Sequence, residues 1–223
     1  MKKGFIIGGS IFLALAVAFM LFFVFAGDSF VKDPVDMTGT WKVVSYSING
    51  SYSEIIDNEF MVFDAETVTD YRDGKEFAAS SYTLKGLTLK APELGKEYEI
   101  ELISEGIVRL CSGGGEYINL VYWTTGDINK EPAPVVFSGR WDLAHRDSEN
   151  FVPGTYFIFG DKTLEYYANS NAEPVTMNFT QSGNVLTVNE LSLSLEAYTI
   201  RENYVVLVDQ DGWVWAFSEN SAQ

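Results

Sequence analysis

Beyond residue 27, apolar and aromatic residues come in short runs that alternate with polar ones. Each run is broken by a turn signal: Asn49-Gly50, Asp73-Gly74, Lys85-Gly86, Gly113-Gly114-Gly115, Ser182-Gly183-Asn184 and Asp211-Gly212. A period of two is that of a strand with one buried face. Asn-Gly and Asp-Gly between such runs are hairpin signals. No stretch in this region keeps a 3.6-residue period for three turns. The pattern predicts an all-β fold of short antiparallel strands. Such strands must close on themselves or pair, because open edges invite aggregation.

The alternation occurs twice over. Gly39 and Trp41 in "MTGTW" recur as Gly139 and Trp141 in "FSGRW", 100 positions on. "EFMVFDAETVTDYRDG" from Glu59 lies against "TYFIFGDKTLEYYANS" from Thr155, matching Phe63 to Phe159 and Thr67 to Thr163 at an offset of 96. "YTLKGLTLK" from Tyr82 then matches "FTQSGNVLTV" from Phe179, and "GIVRLCSGGGEYINLVYW" matches "NYVVLVDQDGWVWAF". Four landmarks in the same order predict an internal duplication.

The first 27 residues stand apart. Lys2 and Lys3 precede Gly4–Gly27, a run without a charge. A bilayer span takes roughly 20 apolar residues, against about 7–15 for the core of a cleavable signal. The run predicts one N-terminal transmembrane helix acting as a signal-anchor. Val24 and Ala26 would suit cleavage near Ala26, in which case the rest is secreted. The lysines keep the N-terminus cytoplasmic, so the chain beyond residue 27 is expected outside the membrane.

Residues 28–35 form a polar spacer with Pro34, and residues 126–135, with Pro132 and Pro134, form a stiff linker. The predicted organisation is anchor 1–27, spacer 28–35, barrel 36–125, linker 126–135 and barrel 136–223. At roughly ten residues per strand and turn, each block supplies about eight strands. Two tandem small antiparallel up-and-down β-barrels follow, expected to fold separately, with the linker adding few apolar side chains to either.

The period of two sets Trp41, Val43 and Ser45 on one strand face, and Trp141, Leu143 and His145 on the equivalent inward face. Gly39 and Gly139 allow a tight entry into each first strand. Trp41 and Trp141 are then placed to plug the closed ends. With the "F…T…Y…G…L-x-L" rhythm that follows, the arrangement resembles the lipocalin-like domains of bacterial envelope proteins, a compact branch of the calycin barrels. Each block is shorter than an ordinary lipocalin and carries no C-terminal helix. The resemblance implies a non-enzymatic binding module.

Of 15 Lys and Arg, 13 follow residue 27, where all 31 Asp and Glu lie, so the exported part carries a net −18. That charge repels nucleic acid, and no nucleic-acid partner is expected. A single cysteine, Cys111, allows no internal disulfide.

Catalytic material is sparse. His145 is the one histidine, so a Ser–His–Asp or Cys–His site could form only around it. One His and one Cys supply no zinc or haem spacing. "DQDGW" from Asp209 resembles the opening of a calcium loop but runs straight into an aromatic strand, and reads as a hairpin turn. Glu97, Glu99 and Glu101 share one face, expected outside, with Tyr98, Ile100 and Leu102 inward. No metal, cofactor or catalytic residue is expected.

Two functions fit. One is binding of a small apolar ligand or an envelope component at a barrel mouth. The other is a structural role, with solid barrels serving as a tethered spacer or contacting a partner protein. The repeats differ where ligand contacts would sit: Ser45 and Asp70 in the first are His145 and Tyr166 in the second. Polar groups among apolar walls orient ligands, so the second mouth is the better site, with His145 and Tyr166 as its contacts.

Overall fold

Among the described residues, turns cut the chain at Asp73-Gly74, Gly86, Gly114-Gly115, Gly183-Asn184 and Asp211. The computed structural model describes residues 35–48, 52–146 and 152–220. The predicted anchor, and all of the spacer but Val35, lie outside the described residues. The strands of the first repeat are β1 (Gly39–Ile48), β2 (Tyr52–Ile55), β3 (Glu59–Phe63), β4 (Thr67–Arg72), β5 (Lys75–Ser81), β6 (Thr83–Lys85), β7 (Thr88–Ala91), β8 (Lys96–Ser104), β9 (Ile107–Gly113) and β10 (Glu116–Tyr122). Those of the second are β11 (Gly139–Arg146), β12 (Tyr156–Phe159), β13 (Thr163–Tyr167), β14 (Val175–Ser182), β15 (Val185–Val188), β16 (Leu193–Arg201), β17 (Tyr204–Asp209) and β18 (Val214–Glu219). Among the described residues no helix is long and apolar enough to cross a membrane.

Both sheets are antiparallel and wound up and down. In the second, β11 to β18 pair in order and β18 returns to β11, closing an eight-stranded barrel. In the first, pairing runs β5-β4-β3-β1-β10-β9-β8-β7-β6, with β2 attached to β1 and a seam between β5 and β6. That seam is a break within one strand. Strand β14 pairs through Val175–Asn178 with β13 and through Phe179–Ser182 with β15. In the first repeat the same two pairings fall to β5 and β6, which part at Tyr82, the counterpart of Phe179. With β5 and β6 counted as one, the first sheet also has eight staves, plus the short β2.

Packing repeats along with topology. Phe63 meets Tyr82 edge-on at 5.4 Å, and Phe159 meets Phe179 edge-on at 5.5 Å. Trp41 Nε1 donates to the Met37 carbonyl at 2.8 Å, and Trp141 Nε1 to the Ser138 carbonyl at 3.1 Å. Gly39 takes φ +125°, and a Cβ there would lie 2.8 Å from the Tyr122 ring, so glycine serves both the backbone and the ring packed over it. A carboxylate anchors the turn after the fifth stave in both repeats. Glu93 is hydrogen-bonded by Ser80 and Ser81, and Glu190 accepts from the Asn178 amide N–H at 2.8 Å.

A bulge also repeats, and it overturns part of the phase read from the sequence. On β1 the register with β10 shifts between Val43 and Ser45; on β11 the register with β18 shifts between Leu143 and His145. One extra residue per strand reverses the faces beyond it. Trp41 and Val43 are inward as expected, but Ser45 points outward and Tyr46 takes the inward place. On β8, Tyr98 and Ile100 are buried as expected, whereas Leu102, which pairs with Val108 ahead of a register shift, is 51% exposed.

The outward Ser45 is nonetheless buried, because the second barrel covers it. A layer of Val44, Ile107, Val121 and Trp123 meets Tyr198, Tyr204, Val206, Val208, Val214 and Ala216, all buried. Ser45 Oγ donates to the Gly212 carbonyl at 3.1 Å and accepts from Asn119 Nδ2 at 3.0 Å. Lys42 Nζ lies 3.4 Å from Glu196 and 5.2 Å from the centre of the Tyr198 ring, and Ser104 hydrogen-bonds the Tyr204 hydroxyl. Both repeats contribute their last two strands here, joined by β1 and β3 of the first and β16 of the second. From the linker, one residue enters a barrel core. Val135, 7% exposed, joins the core of the second barrel beside Phe137.

Candidate functional site

The interiors of the two barrels differ in chemistry, and the second has the feature closest to a ligand site. Its closed end is filled with rings: Phe137 lies 5.3 Å from Trp141 and 4.9 Å from Phe159. Above them the inward positions carry Leu143, Leu164, Met177, Leu186, Leu195 and Leu207, whose apolar side chains leave a cavity of about 370 Å³. A barrel of eight strands is just wide enough to be filled by its side chains or to hold one small ligand. The rim continues the apolar wall: Val152, Val175 and Leu191 line it and are 46%, 55% and 59% exposed.

Three polar side chains reach this space: Thr155, Tyr166 and Arg146. The Thr155 hydroxyl is occupied by the carbonyls of Val152 and Ala168, at 2.8 and 3.1 Å. Tyr166 packs its ring 5.3 Å from Phe157. Arg146 lays its guanidinium 4.0 Å from the centre of the Trp215 ring, and its buried Nε has no hydrogen-bond partner. Among the described residues that line the cavity, Arg146 carries the one full charge.

Tyr166 therefore lines the cavity, as the comparison of repeats suggested, and His145 does not. The bulge pairs His145 with Ala216, whose side chain belongs to the layer between the barrels, and pairs Arg146 with the cavity-lining Trp215. His145 is thus half-buried on the outer face of β11, and sequence reasoning missed Arg146 next to it. Gly39, Trp41, Gly139 and Trp141 stand at the starts of β1 and β11. Neither tryptophan is among the lining residues of its own barrel's cavity.

The first barrel is polar where the second is apolar. Tyr46, Glu59 and Asp70 occupy the places of Arg146, Thr155 and Tyr166, and line a cavity of about 620 Å³. The Tyr46 hydroxyl donates to Glu59 Oε1 at 2.7 Å, and Arg72 reaches Asp70 Oδ2 at 3.0 Å. Burial holds the Glu59 carboxyl above the usual range, against the pull of its Tyr46 hydrogen bond. Burial and the neighbouring Glu59 likewise raise Tyr46 far above an ordinary phenol.

The calcium-like stretch is the β17–β18 turn. Asp209 Oδ1 accepts the Asp211 and Trp213 amides, each at 3.0 Å, and Oδ2 accepts Trp215 Nε1 at 3.1 Å. Burial raises this carboxyl despite those donors. Cys111 sits inside β9 with its thiol pushed up by burial, away from the reactive range. Among the described residues no group of three or more His, Cys, Asp or Glu is placed to hold a metal ion.

No protein-family model matches the chain, and no curated protein does. Among solved structures, a chain described as a DNA polymerase III beta subunit from Eubacterium rectale aligns at 10% identity with a TM-score of 0.14. The alignment covers 81% of this chain and 58% of that one, and at this score it carries no argument about fold or function.

Proposed function

We propose that the protein is a membrane-anchored, extracytoplasmic, non-enzymatic binding module that holds a small apolar molecule in its second barrel, in the manner of lipocalin-like domains. The observation that carries this reading is the apolar cavity of about 370 Å³ with its exposed apolar rim. Clefts that enclose ligands are mostly apolar with a few placed polar groups. Arg146 and Tyr166 are those groups here. Arg146 suits a hydrogen-bond acceptor or anionic end on the ligand, because its Nε lacks a partner in a place that excludes water.

The test is titration with the fluorescent apolar probe N-phenyl-1-naphthylamine. Saturable one-to-one binding is expected, and Leu186→Trp, which fills the cavity from a wall residue 1% exposed, should abolish it without lowering the melting temperature. Absence of saturable uptake, or uptake unaffected by Leu186→Trp, contradicts the reading. Placement outside the membrane is tested by protease on intact cells, which should digest residues 28–223.

A structural role draws on one observation, the buried layer that joins the two barrels. Under that reading the pair is a tethered spacer, and the probe finds no site.

A further inference from the structure

The first barrel diverged from the second at its inward positions, and the divergence is coherent. We propose that its interior is a separate binding site for a small organic ammonium ligand. The inference does not depend on the apolar site.

Charge is the first support. The walls of the 620 Å³ cavity carry four carboxylates, Glu59, Asp70, Glu93 and Glu116, against the two cations Arg72 and Lys96. Arg72 does not fill the space. It lies over the Phe77 ring at 3.9 Å and is 46% exposed, reaching Asp70 Oδ2 at 3.0 Å and Glu59 Oε1 at 3.5 Å. Lys96 is engaged with Glu116 at 3.7 Å.

An unpartnered buried atom is the second support, and it points to a ligand independently of charge. Asp70 is 7% exposed; its Oδ2 takes Arg72, while its buried Oδ1 has no hydrogen-bond partner. Buried polar groups are normally satisfied, and a carboxylate oxygen calls for a donor. An ammonium group supplies the donor for Asp70 and the charge that balances the site. Tyr46 and Tyr98 supply ring surface, which attracts cations and covers a short hydrocarbon body. A neutral polyol offers donors without the charge, and an anion is repelled.

The experiment titrates the full chain, purified in detergent, with 1,5-diaminopentane at physiological salt by calorimetry. 1,5-Pentanediol is the uncharged match. One-to-one binding of the diamine, none of the diol, and at least a tenfold loss in Asp70→Asn are expected. Met61→Trp fills the cavity from a wall residue and changes no charge, so it should also lose binding; it decides the matter if Asp70→Asn fails to fold. Amide shifts in the unsubstituted protein should centre on Asp70 and Tyr98. No binding, equal binding of the diol, or diamine binding that survives Met61→Trp overturns the proposal. So do shifts scattered over the acidic faces, which would mark diffuse attraction to an acidic chain.

Discussion

Gly106 lies directly under Ile200, so closely that a Cβ on the glycine would stand 2.7 Å from Ile200 Cγ2. Gly106 belongs to the first barrel's β8–β9 turn and Ile200 to β16 of the second. The glycine also holds φ +70°, a conformation that side chains resist. Gly106→Val should therefore destabilise the protein by roughly 2–4 kcal/mol, by backbone strain and by pushing the barrels apart. Urea unfolding measures it. A loss no larger than that of Gly86→Val, a turn glycine with nothing within 4 Å, would contradict the claimed contact.

The layer between the barrels predicts the behaviour of a half. Residues 136–223 alone expose Val206, Val214 and Ala216, which are at most 1% exposed in the whole chain. The fragment should form its barrel but self-associate, since an apolar patch of this kind binds its own copies. Val206→Glu with Val214→Glu should return it to a monomer. Sedimentation reads the outcome, and a monomeric fragment without those substitutions would mean the layer contributes little.

Tyrosines in and near this layer predict an alkaline limit. Burial, then the nearby Glu196, keeps the Tyr198 phenol protonated well above its ordinary 10.0. The unfolded chain loses that proton above pH 10, whereas the folded chain retains it. Stability should thus be flat below pH 10 and fall above it, by about 1.4 kcal/mol per pH unit for each tyrosine so held. Tyr198→Phe should flatten the fall measured between pH 10 and 11.5, and an unchanged slope would contradict the assignment.

The bulge on β11 separates two neighbours in function. Arg146→Met should weaken uptake of an anionic apolar probe such as a long-chain carboxylate by roughly 1–3 kcal/mol while sparing a neutral one. His145→Ala should leave both unchanged, because its side chain is on the outer face. Probe fluorescence distinguishes them, and a loss confined to His145→Ala would reverse the phase described for this strand.

Much of the frame could be read from residue pattern alone. The period of two, the paired Gly-x-Trp and the matched landmarks are local signals, and strands, barrels and duplication followed from them. What could not be read is what depends on one extra residue or on the partner barrel. A bulge leaves no mark in the alternation of "WDLAHR", so the phase carried His145 inward and hid Arg146. Val44, Val121 and Val206 look like any core residues, and nothing in a single strand says that their burial comes from the other barrel. The polar interior of the first barrel was partly visible, in Asp70 standing opposite Tyr166. Its unpartnered oxygen belongs to three dimensions.

Native mass spectrometry of the ectodomain, residues 28–223, purified from its own host, tests the central claim most directly. The account predicts one small apolar molecule per chain, lost in the cavity-filling Leu186→Trp and retained in His145→Ala. A bare polypeptide, or an adduct that Leu186→Trp leaves in place, would contradict it.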